Sequence, residues 1–290
     1  VDLVQLYCKD HHGVCYFPSS LGLQYPRDIL GELLPELKKR GIKLMAYMSM
    51  FFDNYAGGLH PEWRAVNEAG DPHKSGPFWH LSVCSPYADF LLTQLDEVAR
   101  GYDVDGYWLD IITLARNVPQ ELWMIQPHPV PDYSFHAQKR YREVTGKGLP
   151  AKPTPEETDA IFEVMAGEVD TFMQRAYATV RKHRPDAVIT YNAAGAPGDP
   201  IDSGDLISIE GHAPHYTRQS FIARWAKGRQ KPFEMMTAGG LSRTPYGGGW
   251  NSLDQKPATI LQLESAIVVA QAGNPVIGQV PTPDGATDPA

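Results

Sequence analysis

Two acidic side chains that end apolar strands are the residues of this chain best placed to do chemistry. Tyr102-Asp103-Val104-Asp105-Gly106-Tyr107-Trp108-Leu109-Asp110 reads as a short apolar strand closing on a carboxylate, and Asp205 to Ile209 is another that closes on Glu210. Side chains alternate along a strand, so Gly106, Trp108 and Asp110 share one face, and Leu206, Ser208 and Glu210 share one face of theirs. Ile207 and Ile209 then point the other way, onto helices. Two carboxyl groups held on a rigid floor can supply a nucleophile and a proton donor. A Trp one step below Asp110 adds an apolar platform suited to a sugar ring. A lone Asp after a strand is as readily a cap for the next segment or an ion-pair partner of an arginine, so the surrounding elements must weigh in.

Those elements alternate. Residues 2 to 8 read as a buried strand entering the polar loop Lys9-Asp10-His11-His12-Gly13. From Pro26 to Arg40 the residues Ile29, Leu30, Leu33, Leu34 and Leu37 recur at helical spacing, and Gly41 stops the helix just before the strand Ile42 to Met50. Residues 51 to 84 read as a long aromatic loop, a length usually reserved for function. Ser85-Pro86 is expected to cap and open a helix that ends at Gly101 and delivers the chain to the Asp110 strand. Residues 111 to 153 read as a Pro-rich excursion around a short helix near 134 to 145. Thr154-Pro155-Glu156-Glu157 is a capping box, opening a long helix whose apolar stripe runs Ile161, Met165, Val169, Phe172, Ala176, Val180. Strand Ala187 to Tyr191 ends in Asn192. Helix Phe221 to Lys227, strand Phe233 to Thr237 with Glu234, helix Pro257 to Gln271 and strand Val276 to Val280 complete the chain.

Strands therefore end near residues 8, 50, 110, 191, 209, 237 and 280, separated mainly by helices. This pattern predicts an α/β fold of the (β/α)8 TIM-barrel type, in which strand C-termini form the active floor. Seven strands are one short of eight. The expectation is a single domain over residues 1–290 whose first βα unit lies upstream of Val1 or is absent, as in a fragment of a longer protein. The 290 residues suit one such barrel, which typically needs ~250. At 42% hydrophobic and 21% charged the chain is ordinary for a folded protein. A net charge of −8 with no basic run argues against nucleic acid as a partner, and no apolar run reaches the ~18 residues of a membrane span. Cys8, Cys15 and Cys84 lack metal or disulfide spacing and are expected as buried thiols. The chain opens on Val1 in mid-strand with no signal peptide, which leaves localisation open.

Four segments carry a family resemblance. Lys9-Asp10-His11-His12-Gly13 is similar to a Lys-His-His-Asp-Gly loop; Val104 to Asp110 to a strand ending Trp-Phe-Asp; Phe233-Glu234-Met235-Met236-Thr237, followed by Trp250, to Trp-Glu-Thr-Cys-Met-Thr before Trp-Gly-Tyr; and Gly273-Asn274 with Pro281-Thr282-Pro283-Asp284-Gly285 to a closing Gly-Asn…Gly-Pro-Thr-Pro-Asp-Gly. In this order they resemble the α-L-fucosidases of glycoside hydrolase family 29 and relatives, including family 151 and uncharacterised glycosidase-like barrels. The resemblance implies a retaining exo-glycosidase with Asp110 as nucleophile, histidines of the first loop on the sugar, and no cofactor. Only His11 keeps a family histidine in register; Asp10 replaces the first, and His12 stands where the family has Asp.

Retaining hydrolysis needs a second carboxyl group. Glu210 is the choice for acid/base, with Glu234 the runner-up or a hydrogen-bond partner of a sugar hydroxyl. His11, His12, His60, His80, His212 and His215 all fall in loops on the presumed active face. Of these, His11, His12, His80 and His212, together with Trp108, Asn192, Glu234 and Trp250, are the expected substrate contacts. Glu210-Gly211-His212-Ala213-Pro214-His215 also admits a metal-dependent barrel hydrolase, although its spacing fits no zinc signature and no metal ligand is assigned. A third reading is a catalytically inactive carbohydrate-binding barrel. On each reading but the metal one, the partner is a glycan or glycoside.

Overall fold

The computed structural model describes residues 1–112, 129–192, 204–211, 216–240 and 255–278. They fold into a mixed α/β structure that divides into two compact units, Val1–Ile189 and Thr190–Ala290. In the first unit, β1 (Leu3–Lys9) is followed by the short strands β2 (Val14–Cys15) and β3 (Leu23–Gln24), then α1 (Ile29–Lys39), β4 (Lys43–Ser49) and α2 (Asn54–Leu59). The two-residue strands β5 (Lys74–Ser75) and β6 (Phe78–Trp79) precede α3 (Tyr87–Gly101), β7 (Gly106–Asp110), α4 (Phe135–Thr145) and α5 (Pro155–His183). β8 (Val188–Asn192) crosses into the second unit, which continues with β9 (Leu206–Glu210), α6 (Tyr216–Gly228), β10 (Phe233–Ala238), α7 (Ala258–Val269) and β11 (Asn274–Gly278). Every strand and helix expected from periodicity is present, shifted by a few residues at its ends.

In the first unit β4 lies between β1 and β7, parallel to both, with Tyr7 opposite Tyr47, Tyr47 opposite Trp108, and Ser49 opposite Asp110. This register puts Tyr47, Ser49, Trp108 and Asp110 on one face. Gly41, at φ 67, ends α1 as expected. The capping box of α5 forms in full between Thr154 and Glu157, and its apolar stripe is buried along the whole predicted line. In the second unit β8, β9, β10 and β11 run parallel in that order. Ile207, Ile209, Phe233 and Met235 pack with Ile222, Ala223, Ala226 and Val268 of α6 and α7, so the outward face predicted for Ile207 and Ile209 is a core.

Two local expectations change. The stretch 51 to 84 is not a bare loop: it holds α2, a 3-10 turn at Pro61–Trp63 and the β5–β6 hairpin. Asp53 caps α2 by accepting from the Ala56 N–H at 2.7 Å, and a six-residue helix containing two glycines shows no apolar periodicity to betray it. Helix α3 begins at Tyr87, one residue after the expected Pro86, although the Ser85 hydroxyl still accepts from the Tyr87 N–H. Among the described residues no helix is long and apolar enough to cross a membrane.

A buried ion pair holds the loops at the C-terminal ends of β1 and β4. Lys9 Nζ lies 2.9 Å from Asp53 Oδ2 and donates to the Ser49 carbonyl (2.9 Å) and the Tyr87 hydroxyl (3.1 Å), which uses its three hydrogens. The Tyr87 hydroxyl in turn donates to Met50 O, with Asp53 Oδ2 alongside, and burial followed by Asp53 pushes its titration far up. Removing one partner of such a pair strands the other charge. Lys9→Met is expected to lower unfolding stability in urea by about 3–5 kcal/mol, whereas Lys38→Ala, which breaks the surface pair with Asp103, leaves the transition nearly unmoved.

The three cysteines are free, Cys8 and Cys15 buried and Cys84 partly so. Burial pushes the Cys15 thiol up to about 12 and raises Cys8 and Cys84 as well. The folded chain keeps protons that the unfolded chain gives up near pH 9, so stability falls as pH rises from there toward 12. Iodoacetamide at pH 8 is expected to leave Cys8 and Cys15 unmodified in the native protein and to modify both in urea. Rapid native alkylation at either would contradict the burial.

Candidate active site

Asp110 ends β7, a strand buried over its full length, and is itself 5% exposed. Both its oxygens meet donors. Oδ2 accepts from the Tyr47 hydroxyl, and Oδ1 from the Ile111 N–H at 2.8 Å. Ile111 has φ 55, in the left-handed region that a β-branched residue seldom enters, and this turn aims its N–H back at the carboxylate. Donors at both oxygens hold the carboxylate in a fixed orientation. The Tyr47 ring stacks on Trp108 at 5.1 Å and 18°, and Trp108 is 1% exposed, so the indole braces the tyrosine that holds Asp110.

His11 is the imidazole beside this carboxylate. Its Nε2 lies 3.7 Å from Asp110 Oδ2 and 3.4 Å from the Tyr47 hydroxyl. Its Nδ1 is 2.8 Å from Ser49 Oγ, and Ser49 donates its own hydrogen to Phe52 O, so Nδ1 is the donor of that pair. Aromatic edges fix the ring further: Phe52 and Phe78 stand 5.4 and 5.0 Å from it. His80 is buried behind them, its Nε2 2.9 Å from Ser75 Oγ and its ring edge-on to Phe52. His12 is exposed and bonds Asn54. His60 stacks on Trp63 and pairs with Glu62 at the surface. The first unit thus gathers Asp110, His11 and Trp108, and adds Tyr47, Ser49, Phe52 and Phe78, none of which was singled out from sequence. The alternation of β4 places Tyr47 and Ser49 on one face, and register with β7 would have brought them to Asp110.

In the second unit Glu210 ends β9 and accepts from Asn192 Nδ2 at 2.9 Å. Glu234, 4% exposed, accepts from Ser208 Oγ at 2.7 Å. Glu234 pairs in register with Ser208, and Met236 with Glu210, so both glutamates lie on the polar face opposite the isoleucines. Their Cα atoms are offset by two residues along adjacent strands, roughly 6–7 Å of rise. His212, His215 and Trp250 lie outside the described residues, as does the Pro281–Gly285 segment. Among the described residues no three His, Cys, Asp or Glu side chains come together as metal ligands.

Tyr47→Phe keeps the ring on Trp108 and removes one donor from a buried carboxylate. Stability in urea at pH 7 is expected to fall by about 1–3 kcal/mol; an unchanged midpoint would show that Asp110 does not depend on that hydroxyl.

Residues 1–111 match the family model described as hypothetical glycosyl hydrolase 6. No curated protein matches the sequence. Among solved structures, α-L-fucosidase isoenzyme 2 from Paenibacillus thiaminolyticus is similar over 99% of this chain and 42% of its own, at 22% identity and a TM-score of 0.79. The glycoside hydrolase domain of PgaB (BpsB) from Bordetella bronchiseptica is similar over 95% of this chain and 83% of its own, at 14% identity and TM-score 0.69. A β-galactosidase from Bacillus circulans sp. alkalophilus is similar over 96% and 46%, at 13% identity and TM-score 0.69. The chain spans less than half the length of the fucosidase and of the β-galactosidase. At these identities the likeness is one of fold: the chain has a fold found in glycoside hydrolases.

Proposed function

We propose that this chain is a retaining exo-glycoside hydrolase on a single (β/α)8-type barrel domain, taking a terminal sugar, with an α-L-fucoside the first choice. The observation that carries this reading is Asp110: a carboxylate at the C-terminal end of a buried parallel strand, with a donor on each oxygen and an imidazole 3.7 Å away. Support for the sugar class comes from the partial match to a glycosyl hydrolase family model and from the four segments that resemble α-L-fucosidases.

In the mechanism proposed, Asp110 attacks the anomeric carbon as the bond to the leaving oxygen breaks, and a carboxylic acid gives that oxygen its proton. Water then donates a proton to the same group, now a carboxylate, and its oxygen displaces Asp110. Glu210 is assigned as this acid/base and Glu234 as the alternative. The bonds that hold Asp110 before substrate arrives lower its reorganisation during attack. His11, with Nδ1 committed to Ser49, turns Nε2 toward the sugar side of Asp110.

The test is a panel of aryl glycosides that includes the α-L-fucoside and, because a β-galactosidase shares the fold, galactosides. Asp110→Asn is expected to lose about a thousandfold or more in kcat. A 2-deoxy-2-fluoroglycosyl fluoride of the preferred sugar should leave an adduct on the Asp110 peptide, read by mass spectrometry. An adduct on another carboxylate would overturn the nucleophile, and glycan binding without turnover would overturn the hydrolase reading.

A further inference from the structure

His12 is exposed yet fixed. Its N–H donates to Asp10 Oδ1 at 2.9 Å and its carbonyl accepts from the Tyr55 N–H at 2.9 Å, so both backbone groups of the residue are tied. Its ring Nδ1 lies 3.1 Å from Asn54 Nδ2. The orientation of that amide is dictated by two backbone groups of the β5–β6 hairpin. Asn54 Oδ1 accepts from the Trp79 N–H at 3.0 Å, and Asn54 Nδ2 donates to Pro77 O at 3.1 Å. Turning the amide over would set oxygen against the Pro77 carbonyl and nitrogen against the Trp79 N–H. One amide hydrogen therefore goes to Pro77, the other points at His12, and Nδ1 can only accept it. The neutral His12 ring must carry its hydrogen on Nε2.

The His12 ring has a defined neighbourhood. Phe78 stands edge-on to both His11 and His12, each at 5.0 Å. Moving outward from Asp110, one meets His11, mostly covered, then Phe78, then exposed His12. A sugar bonded to Asp110 would occupy the inner side of this series, and whatever departs from it the outer side.

We infer that Asn54 is a positioning residue that holds His12 as the Nε2–H tautomer, and that this donor, beside the Phe78 ring, receives the leaving group as a second hydroxylated ring. One oxygen of that ring accepts from Nε2–H. For its ligand, though not for the tautomer, the inference rests on the glycosidase reading above. A short hairpin thus converts a surface histidine into a one-way donor and selects a saccharide leaving group over a bare aryl one.

The tautomer is read from 15N–1H spectra of the full chain with labelled histidine at pH 7.5, His12 being assigned by loss of its signals in His12→Ala. The parent should show a pyridine-like Nδ1 and a pyrrole-like Nε2. In Asn54→Asp the carboxylate accepts from Nδ1–H and the pattern should reverse. The opposite pattern in the parent, or no reversal in Asn54→Asp, would overturn the inference. For the ligand, His12→Ala should lower kcat/KM on a disaccharide about three- to tenfold further than on the aryl glycoside of the same terminal sugar, the worth of one neutral hydrogen bond. Equal losses would overturn the leaving-group assignment. If the parent cleaves no glycoside, the hydrolase reading falls by itself, and titration with free galactose and N-acetylglucosamine decides. Saturable movement of the His12 Nε2 signal supports a saccharide site, and no movement with either sugar overturns it.

Discussion

A lysine ammonium with no access to water is the constraint around which the first unit is arranged. Taking Lys9 out of solvent is unfavourable by several kcal/mol unless every hydrogen finds an acceptor, and the acceptors come from three separate places: the end of β4, the cap of α2 and the first residue of α3. Those segments have to meet at Lys9 or the charge is stranded. Ser49 shows how this reaches the candidate site, because its carbonyl takes the lysine while its hydroxyl takes His11. Gly13 closes the same loop at φ 86, where a Cβ would lie 2.0 Å from Asp53 Oδ1, so only glycine fits. The position of the imidazole beside Asp110 is thereby tied to a charge two residues earlier in the chain.

The strands divide their two faces between different tasks. In the second unit Ile207, Ile209, Phe233 and Met235 supply the contact with α6 and α7, while Asn192, Ser208, Glu210 and Glu234 satisfy one another on the other side. Burial on the apolar face fixes the register, since a one-residue slip would send every isoleucine into the polar layer. Carboxylates on that layer are thus positioned by packing on the opposite face. In the first unit aromatic packing does comparable service, with Trp108 under Tyr47 and Tyr7 edge-on to it at 4.4 Å.

What could be read from sequence follows this division. Alternation exposed the strand ends at Asp110 and Glu210 and the helix-facing isoleucines, and the Thr154–Glu157 box marked α5, because each is a local pattern. Tyr47 over Asp110, Lys9 with Asp53 and Asn54 with His12 join residues about forty or more apart, and no local signal connects them. The 51–84 stretch was opaque for a related reason. Its short helix and hairpin are held by caps, bridges and single hydrogen bonds rather than by an apolar period. Trp108 was legible as a neighbour of the carboxylate, but its burial under Tyr47 depends on the β4–β7 register.

The backbone at Ile111 is held in a conformation that costs an L-residue on the order of 1–2 kcal/mol. In return its N–H is aimed at Asp110 before any ligand arrives. An unstrained turn would leave that N–H free to wander, and each encounter with a substrate would have to gather it again. Here the unfavourable geometry is incurred once, when the chain folds, and is offset by the packing of the whole unit. Global stability is in this sense the reservoir from which local readiness is drawn, and substitutions far from Asp110 that loosen the fold should blunt the carboxylate before they unfold the protein.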